Sequence, residues 1–405
     1  MNQTDDIIPK TRITSIDALR GFALIGILLI HCMESFDMFH FPKHESPYLL
    51  WIDTAIRDSL YFLFGGKAYA LFSLLFGLSF FIMMDSQAKK GKDFSLRFLW
   101  RLALLFVFGY ITGIFYISEF FMIYALIGII LVPLYKVPNK ILIVLCVLLL
   151  LQIPDVKNLI SALFGNEVTT SPVRQKASLM WRECRGLFKD GSLLDVLTFN
   201  AGKGQWVNLI ANYYRYFQMA GLFVAGMLIG RSGVYKDPKK MIYWCKKILP
   251  YAIGWFLLFY IYTTWVLPSL HLENTALLRV SRSLARSYGN LGMMTLLMCV
   301  FILLYHNTYS GRKLFDDIAA MGRMSLTNYM IQAILGVFIF YGCGLGPQPS
   351  VLVCFLIGSI LCFFQICFSN WWIKRFYYGP MEWLWRTLTW FKKAPMKRKE
   401  IVSAL

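Results

Sequence analysis

Long apolar runs, each near the length of a bilayer crossing, recur along the whole chain with short polar segments between them. A spanning helix needs about 20 mostly apolar residues. On that measure the pattern predicts ten helices, at about 18–35, 59–84, 98–116, 119–135, 140–153, 213–230, 248–267, 288–305, 324–343 and 350–373. The fifth run is short and stops at Pro154, which suggests a tilted or re-entrant helix. The fold class that follows is an all-α polytopic transmembrane bundle, with residues 1–405 as a single membrane domain. Two pieces stand apart from the runs. Residues 155–212 mix apolar and basic positions, as in Met180-Trp181-Arg182-Glu183-Cys184-Arg185. That mixture predicts an extracytoplasmic insertion of amphipathic helices lying on the outer surface. Residues 374–405 form a basic tail, and Trp383, Trp385 and Trp390 with the following lysines predict a cytoplasmic amphipathic anchor on the anionic inner leaflet.

Composition strengthens this picture. The chain is 58% hydrophobic and 16% charged, with a mean hydropathy of +0.56, whereas a soluble domain is about a quarter charged. A net charge of +19 would suggest a nucleic-acid partner in a soluble protein. Here the basic residues sit in short clusters between apolar runs, so the positive-inside rule accounts for them and no nucleic acid is expected. Most of the 41 basic residues fall in segments that ten crossings would leave cytoplasmic, among them Lys89, Lys90, Lys92, Arg97 and Arg101. Both termini are therefore expected on the inner side of a bacterial cytoplasmic membrane. Arg279, Arg282 and Arg286 fall on the outer side and run against that trend. The polar first sixteen residues precede an apolar run at Ala18, and His31-Cys32-Met33-Glu34 after it offers no small-residue cleavage site, so the run reads as a retained helix. The nine cysteines form no CxxC pair and lie mostly in apolar runs. They read as small buried hydrophobes, and neither a disulfide framework nor a metal site is expected.

The candidate chemistry is on the first helix. Arg20 and His31 are eleven residues apart, and eleven steps of about 100° return a side chain to within about 20° of its start. They share one face, roughly 16 Å apart along the axis. Asp17 and Glu34 extend the same stripe, three residues outside each member of the pair. Ionisable groups on a spanning helix are costly and face a protein cavity or an aqueous path. Glu34, one turn beyond His31, is placed to orient the imidazole and raise its basicity, as a general base requires. The plainer reading is that Arg20 anchors the helix among the inner headgroups while His31 and Glu34 reach outer water.

Arg20, ten residues and His31 on a first helix resemble the motif of the membrane acyltransferase-3 family. Asp17-Ala18-Leu19-Arg20-Gly21 resembles the same point in the YeiB-like family (domain of unknown function 418), and is similar to the heparan-α-glucosaminide acetyltransferase-like proteins. The YeiB-like resemblance extends over most of the chain, through Gly66-Lys67-Ala68-Tyr69-Ala70-Leu71-Phe72-Ser73-Leu74-Leu75-Phe76-Gly77, Gly322-Arg323-Met324-Ser325-Leu326-Thr327-Asn328-Tyr329 and Gly379-Pro380-Met381-Glu382-Trp383-Leu384-Trp385-Arg386. In that family the position of His31 often holds Asn, so His31 brings this chain nearer the acyltransferase-3 pattern. The resemblance implies transfer of an acyl group, most simply acetyl, from cytoplasmic acyl-CoA to an extracytoplasmic envelope glycan or lipid-linked acceptor. It makes His31 the base or the acyl-carrying nucleophile, supported by Glu34. Arg20, with Asp17, Arg97 and Arg101, would serve the CoA phosphates, and oligomerisation is compatible with this reading. In the heparan-type proteins the active histidine lies in the loop after the first helix, which makes His44 the reserve candidate. The rival class is a transporter or flippase for a small envelope metabolite.

Four further features bear on the reading. Lys67, in Phe64-Gly65-Gly66-Lys67-Ala68-Tyr69, is expensive within a span unless paired or hydrated. It and Tyr69 are candidates for the substrate side, with pairing of Lys67 to Glu34 or Asp58 as the structural alternative. His40 and His44 flank Pro42, which argues against a helical metal pair, and no third ligand is evident. Asn328 and Gln332 are one turn apart within a span. Such pairs bond neighbouring helices, with substrate contact by Asn328 as the alternative. Glu382 and Arg386 are spaced for a helix-stabilising ion pair.

Overall fold

The computed structural model describes residues 13–39, 41, 46–165, 172–272, 274–308, 312–346 and 349–398. Among them the backbone is helical, with one isolated antiparallel bridge between Phe376 and Lys397. The helices of the first part are α1 (Thr14–Met33), α2 (Pro47–Leu63), α3 (Ala68–Ala88), α4 (Ser95–Phe115), α5 (Phe121–Gly128), α6 (Leu131–Leu134), α7 (Asn139–Leu150) and α8 (Ile153–Leu163). Next come α9 (Pro172–Asp190), α10 (Leu193–Phe199), α11 (Gln205–Ala211), α12 (Tyr213–Ser232), α13 (Pro238–Ile261) and α14 (Leu267–Ser269). The chain continues through α15 (Thr275–Asn307), α16 (Arg312–Arg323), α17 (Ser325–Phe340), α18 (Val351–Arg375) and α19 (Pro380–Trp390).

Among the described residues, six helical segments are long and apolar enough to cross a membrane: α1, the α2–α3 run, α4, the run from α13 to α14, α15 and α18. Two bent pairs, α7–α8 at 47° and α16–α17 at 79°, raise the number to eight if each is one span. The expected run 59–84 is interrupted, because Gly65, Gly66 and Lys67 make a turn between α2 and α3. Gly66 has φ +76°, and a Cβ there would lie 2.4 Å from the Asn290 side-chain nitrogen, so the turn calls for glycine on both counts. The bend after α7 is set by Gln152 in a left-handed conformation followed by Pro154. At the bend before α17, the Glu382 carboxylate accepts the backbone N–H groups of Leu326 and Thr327 and the Thr327 hydroxyl. Glu382 thereby caps the otherwise orphaned donors at a helix start.

Helix α1 is the hub of the bundle. It packs against α2, α3, α15, α16, α17 and α18, and its buried face includes Ala18, Ala23, Leu24, Leu28 and Cys32. Its crossing with α16 is close: a Cβ on Gly322 would sit 1.8 Å from the Asp17 carbonyl oxygen. Helix α12 packs between α3 and α7 and buries Met219, Leu222, Phe223 and Met227. Large apolar side chains remain exposed on the outer helices, among them Ile141 and Val144 on α7, Leu258 on α13, and Phe363 and Phe364 on α18. Such extended apolar surface suits a hydrocarbon environment and not water.

Candidate functional site

Beyond Met33 the helix cannot simply continue. Ser35, Phe36 and Asp37 all take positive φ, at 51°, 51° and 73°. A left-handed turn of non-glycine residues costs roughly 1–2 kcal/mol per residue, so the surrounding packing must hold it. Phe36 does most of this. It is 1% exposed, stacks on Phe340 at 5.6 Å and meets Tyr116 edge-on at 5.2 Å. Its ring occupies the space a side chain at Gly336 would need, with ring atoms 2.0 Å from that Cβ position. The Tyr341 hydroxyl donates to the Phe36 carbonyl at 3.1 Å. The turn carries Asp37 back toward the end of α1 as a buried carboxyl.

There Tyr116, at the end of α4, joins two of the residues. Its hydroxyl lies 2.9 Å from His31 Nδ1, and the Tyr116 and Ser118 hydroxyls stand beside the Asp37 carboxyl. Burial pushes Asp37 above the usual carboxylate range, and these two hydroxyls oppose that rise. A tyrosine hydroxyl has one proton to donate. Where that proton goes to Asp37, His31 donates from Nδ1 and keeps the Nε2 lone pair; where it goes to Nδ1, the imidazole N–H is on Nε2. Glu34 takes a different partner from the one expected of it: Tyr61 donates to its Oε1 at 2.8 Å. Burial and nearby Asp37 push the Glu34 carboxyl up to about 7, against the Tyr61 bond and the charge of Arg215.

These groups face a cavity of about 1380 Å³, lined from α1, α2, α3, α5, α9, α12, α13, α15 and α17 among others. His31, Glu34, Lys67 and Tyr69 all line it, as do Asp37, Tyr61, Arg215 and Arg286. Lys67, 9% exposed, donates to the Tyr61 carbonyl at 3.0 Å. The Arg215 guanidinium lies over the rings of Tyr69 and Phe120, at 5.0 and 5.9 Å. Helix α9 closes one side, burying Cys184 and Phe188 in the protein and presenting Trp181, Arg182 and Arg185 to the cavity. A space of this size exceeds the few hundred Å³ common for small-ligand pockets.

The other expected residues lie elsewhere. Arg20 donates to Asp17 Oδ1 at 2.7 Å and to Ser79 Oγ at 2.6 Å, away from the cavity. Arg101 lies 3.5 Å from the centre of the Trp385 ring, and Arg97 is 5.0 Å from that of Trp390. Both therefore dock the tail helix α19 onto α4, a contact completed by Trp385 Nε1 donating to the Arg101 carbonyl at 3.0 Å. Asn328 is fully buried between helices, donating to the Met321 carbonyl and to Ser369 Oγ, each at 3.0 Å. It does not line the cavity, because α17 turns that side chain toward α18. Gln332 likewise bonds Gln365 on α18 at 2.7 Å. His44 lies outside the described residues.

Sequence reasoning passed over Asp37, Tyr116, Tyr61 and Arg215. Only Arg215 carried a local signal, being an ionisable residue inside an apolar run. Asp37 depends on the left-handed turn. Tyr116 and Tyr61 depend on helices brought beside α1 from elsewhere in the chain.

Comparison with known proteins agrees with the YeiB-like resemblance and adds no activity. A family model described as "Protein of unknown function (DUF418)" matches residues 229–392. The protein YxaH of Bacillus subtilis is 29% identical, covering 98% of this chain and 99% of its own. A 39.9 kDa protein encoded in an amylase 3′ region of Bacillus acidopullulyticus is 25% identical over 98% and 99% of the two chains. YeiB of Escherichia coli is 27% identical over 93% and 96%. No solved structure matches.

Proposed function

We propose that this chain is a membrane acyltransferase with His31 as its general base. The observation that carries the reading is the line Asp37–Tyr116–His31, which opens on the large charged cavity. An orienting group behind an imidazole, with the far nitrogen left to accept a proton, is the arrangement that proton abstraction from a hydroxyl or amine requires. Nε2 takes the proton of the acceptor as its oxygen or nitrogen attacks the thioester carbonyl of acyl-CoA. Tyr116 and Asp37 stabilise the imidazolium that forms. Collapse of the tetrahedral adduct breaks the C–S bond, and the imidazolium returns the proton to the departing CoA thiolate. The acceptor is an envelope glycan or lipid-linked glycan on the outer side, and acetyl is the simplest acyl group.

The same reading takes the chain as an inner-membrane protein of bacteria with ten crossings and both termini cytoplasmic. The positive-inside distribution and the bacterial relatives support this. Residues 155–212 are then the extracytoplasmic insertion, whose helix α9 closes one side of the cavity. Cysteine labelling at Lys90, Gly191 and Lys397 tests the arrangement, and reaction at Gly191 from the cytoplasm would overturn it. For the activity, acetyl-CoA or CoA should raise the melting temperature of the detergent-purified protein. Labelled acetyl groups should reach envelope glycans of the parent strain and not of a strain lacking the gene. A transporter would need neither the base nor CoA, so absence of CoA binding at millimolar concentration favours that alternative.

A further inference from the structure

Arg279, Arg282 and Arg286 lie on α15 at spacings of three and four residues, and so on one face of the helix. That face closes a second chamber of about 540 Å³, to which Arg215, Gln152, Gln218 and Asp155 also contribute. Gly66, Tyr69, Arg215, Arg286 and Asn290 line both chambers, so the second adjoins the His31 cavity. Its wall carries four guanidinium groups and one carboxylate.

Like charges gathered on one wall repel one another, and here a rigid polar framework holds them in place. Ser287 Oγ accepts from Gln152 Nε2 at 2.8 Å and from Gln218 Nε2 at 3.1 Å. The Tyr69 hydroxyl donates to the Gln218 side-chain oxygen. Gln152 and Gln218 are 3% and 2% exposed, and Gln152 holds a left-handed backbone with φ 52°. A non-glycine residue in that region is strained, and such strain gathers at ligand sites. The framework ties the bend between α7 and α8 to α12 and α15, which fixes where Arg215 and Arg286 stand.

We infer that this chamber is a subsite for a phosphate ester or diphosphate. Guanidinium groups bind phosphate oxygens through paired donors. Four of them, offset by the one carboxylate, leave a net positive wall that the negative charges of a diphosphate complement. The inference rests on the His31 cavity being the transfer site and specifies its substrate as phosphate-bearing. The group has two chemical sources, the diphosphate of a lipid carrier holding the acceptor and the diphosphate of CoA itself.

The test uses the full-length protein in detergent, with binding of inorganic pyrophosphate read from the melting temperature. Pyrophosphate should stabilise the wild type and His31→Ala alike. The variant Arg279→Gln/Arg282→Gln should bind it at least about tenfold more weakly, and Arg282→Lys, which keeps charge but loses the fork, should fall between. Melting temperatures without ligand show whether each variant is folded, and the exposed Arg279→Gln alone is the variant least able to disturb packing. Competition assigns the source: farnesyl diphosphate displacing pyrophosphate more strongly than CoA points to the lipid carrier, and the reverse points to the donor. Equal pyrophosphate affinity in wild type and the double variant, or none in the wild type, overturns the subsite. Pyrophosphate binding with no transfer from any acyl-CoA would instead remove the transfer reaction and leave the anion site standing.

Discussion

The two ends of α1 carry matching residues and do different work. Each has a carboxylate and a basic side chain three residues apart, Asp17 with Arg20 and His31 with Glu34. At the first end these side chains bond each other and Ser79, and the helix is pressed against α16 with no room between the backbones. At the second end each turns to a tyrosine from another helix, Tyr116 for His31 and Tyr61 for Glu34, and both face open space. The lesson is that an ionisable stripe on a membrane helix locates expensive groups without saying which of them do chemistry. Satisfied by each other in a close crossing they hold helices together, and set beside a cavity they are available to a substrate.

The comparison is tested most severely at His31. His31→Ala should lower acyl transfer by about 10²- to 10⁴-fold, the contribution of a positioned base, while CoA still stabilises the protein. His44→Ala should retain turnover. If His44→Ala abolishes transfer and His31→Ala does not, the base is in the loop and the contrast between the two ends has no catalytic meaning.

Arg20→Ala should act on stability. It removes the Arg20 partner of the Asp17 carboxylate, whose side chain is 4% exposed, and loss of one partner of a buried pair costs up to about 3 kcal/mol. Thermal unfolding of the variant checks this. A protein of unchanged stability that has lost CoA affinity would return Arg20 to the role of phosphate ligand.

Tyr116→Phe should reduce kcat about ten- to a hundredfold with little change in KM, because it breaks the link from Asp37 to His31 without touching the cavity wall's charge. Equal rates for the variant and wild type would mean that His31 is oriented by something else.

The smallest effect expected is at Glu34. Its carboxyl ordinarily titrates near 4.5 and is raised to about 7 in the folded chain. Between those values the folded protein holds more protons than the unfolded one, so stability falls as pH rises through the window. Glu34→Gln should be as stable as wild type near pH 4 and more stable at pH 8, by about 1 kcal/mol once partial solvent access is allowed for. A difference that does not vary with pH would locate the titration elsewhere.

Periodicity alone determined that this chain is a helical membrane protein, and residue spacing put His31 and Glu34 on one stripe of its first helix. Helical period and apolar length are local properties, set by backbone hydrogen bonding and by the cost of leaving polar groups in hydrocarbon. A span can therefore be read from its own residues, and the stripe on α1 follows from residue spacing. Neither the partners of that stripe nor the fate of each end could be read this way. Tyr116 is 85 residues from His31, and Asp37 reaches it only because Phe36 wedges a left-handed turn against Gly336. Arg97 and Arg101, basic residues at an expected inner face, meet tryptophans of the tail that no local pattern pairs with them. Asn328 is spent on α18. These outcomes depend on which helices stand side by side, and that is decided by packing among residues distant in sequence, where no local period carries the information.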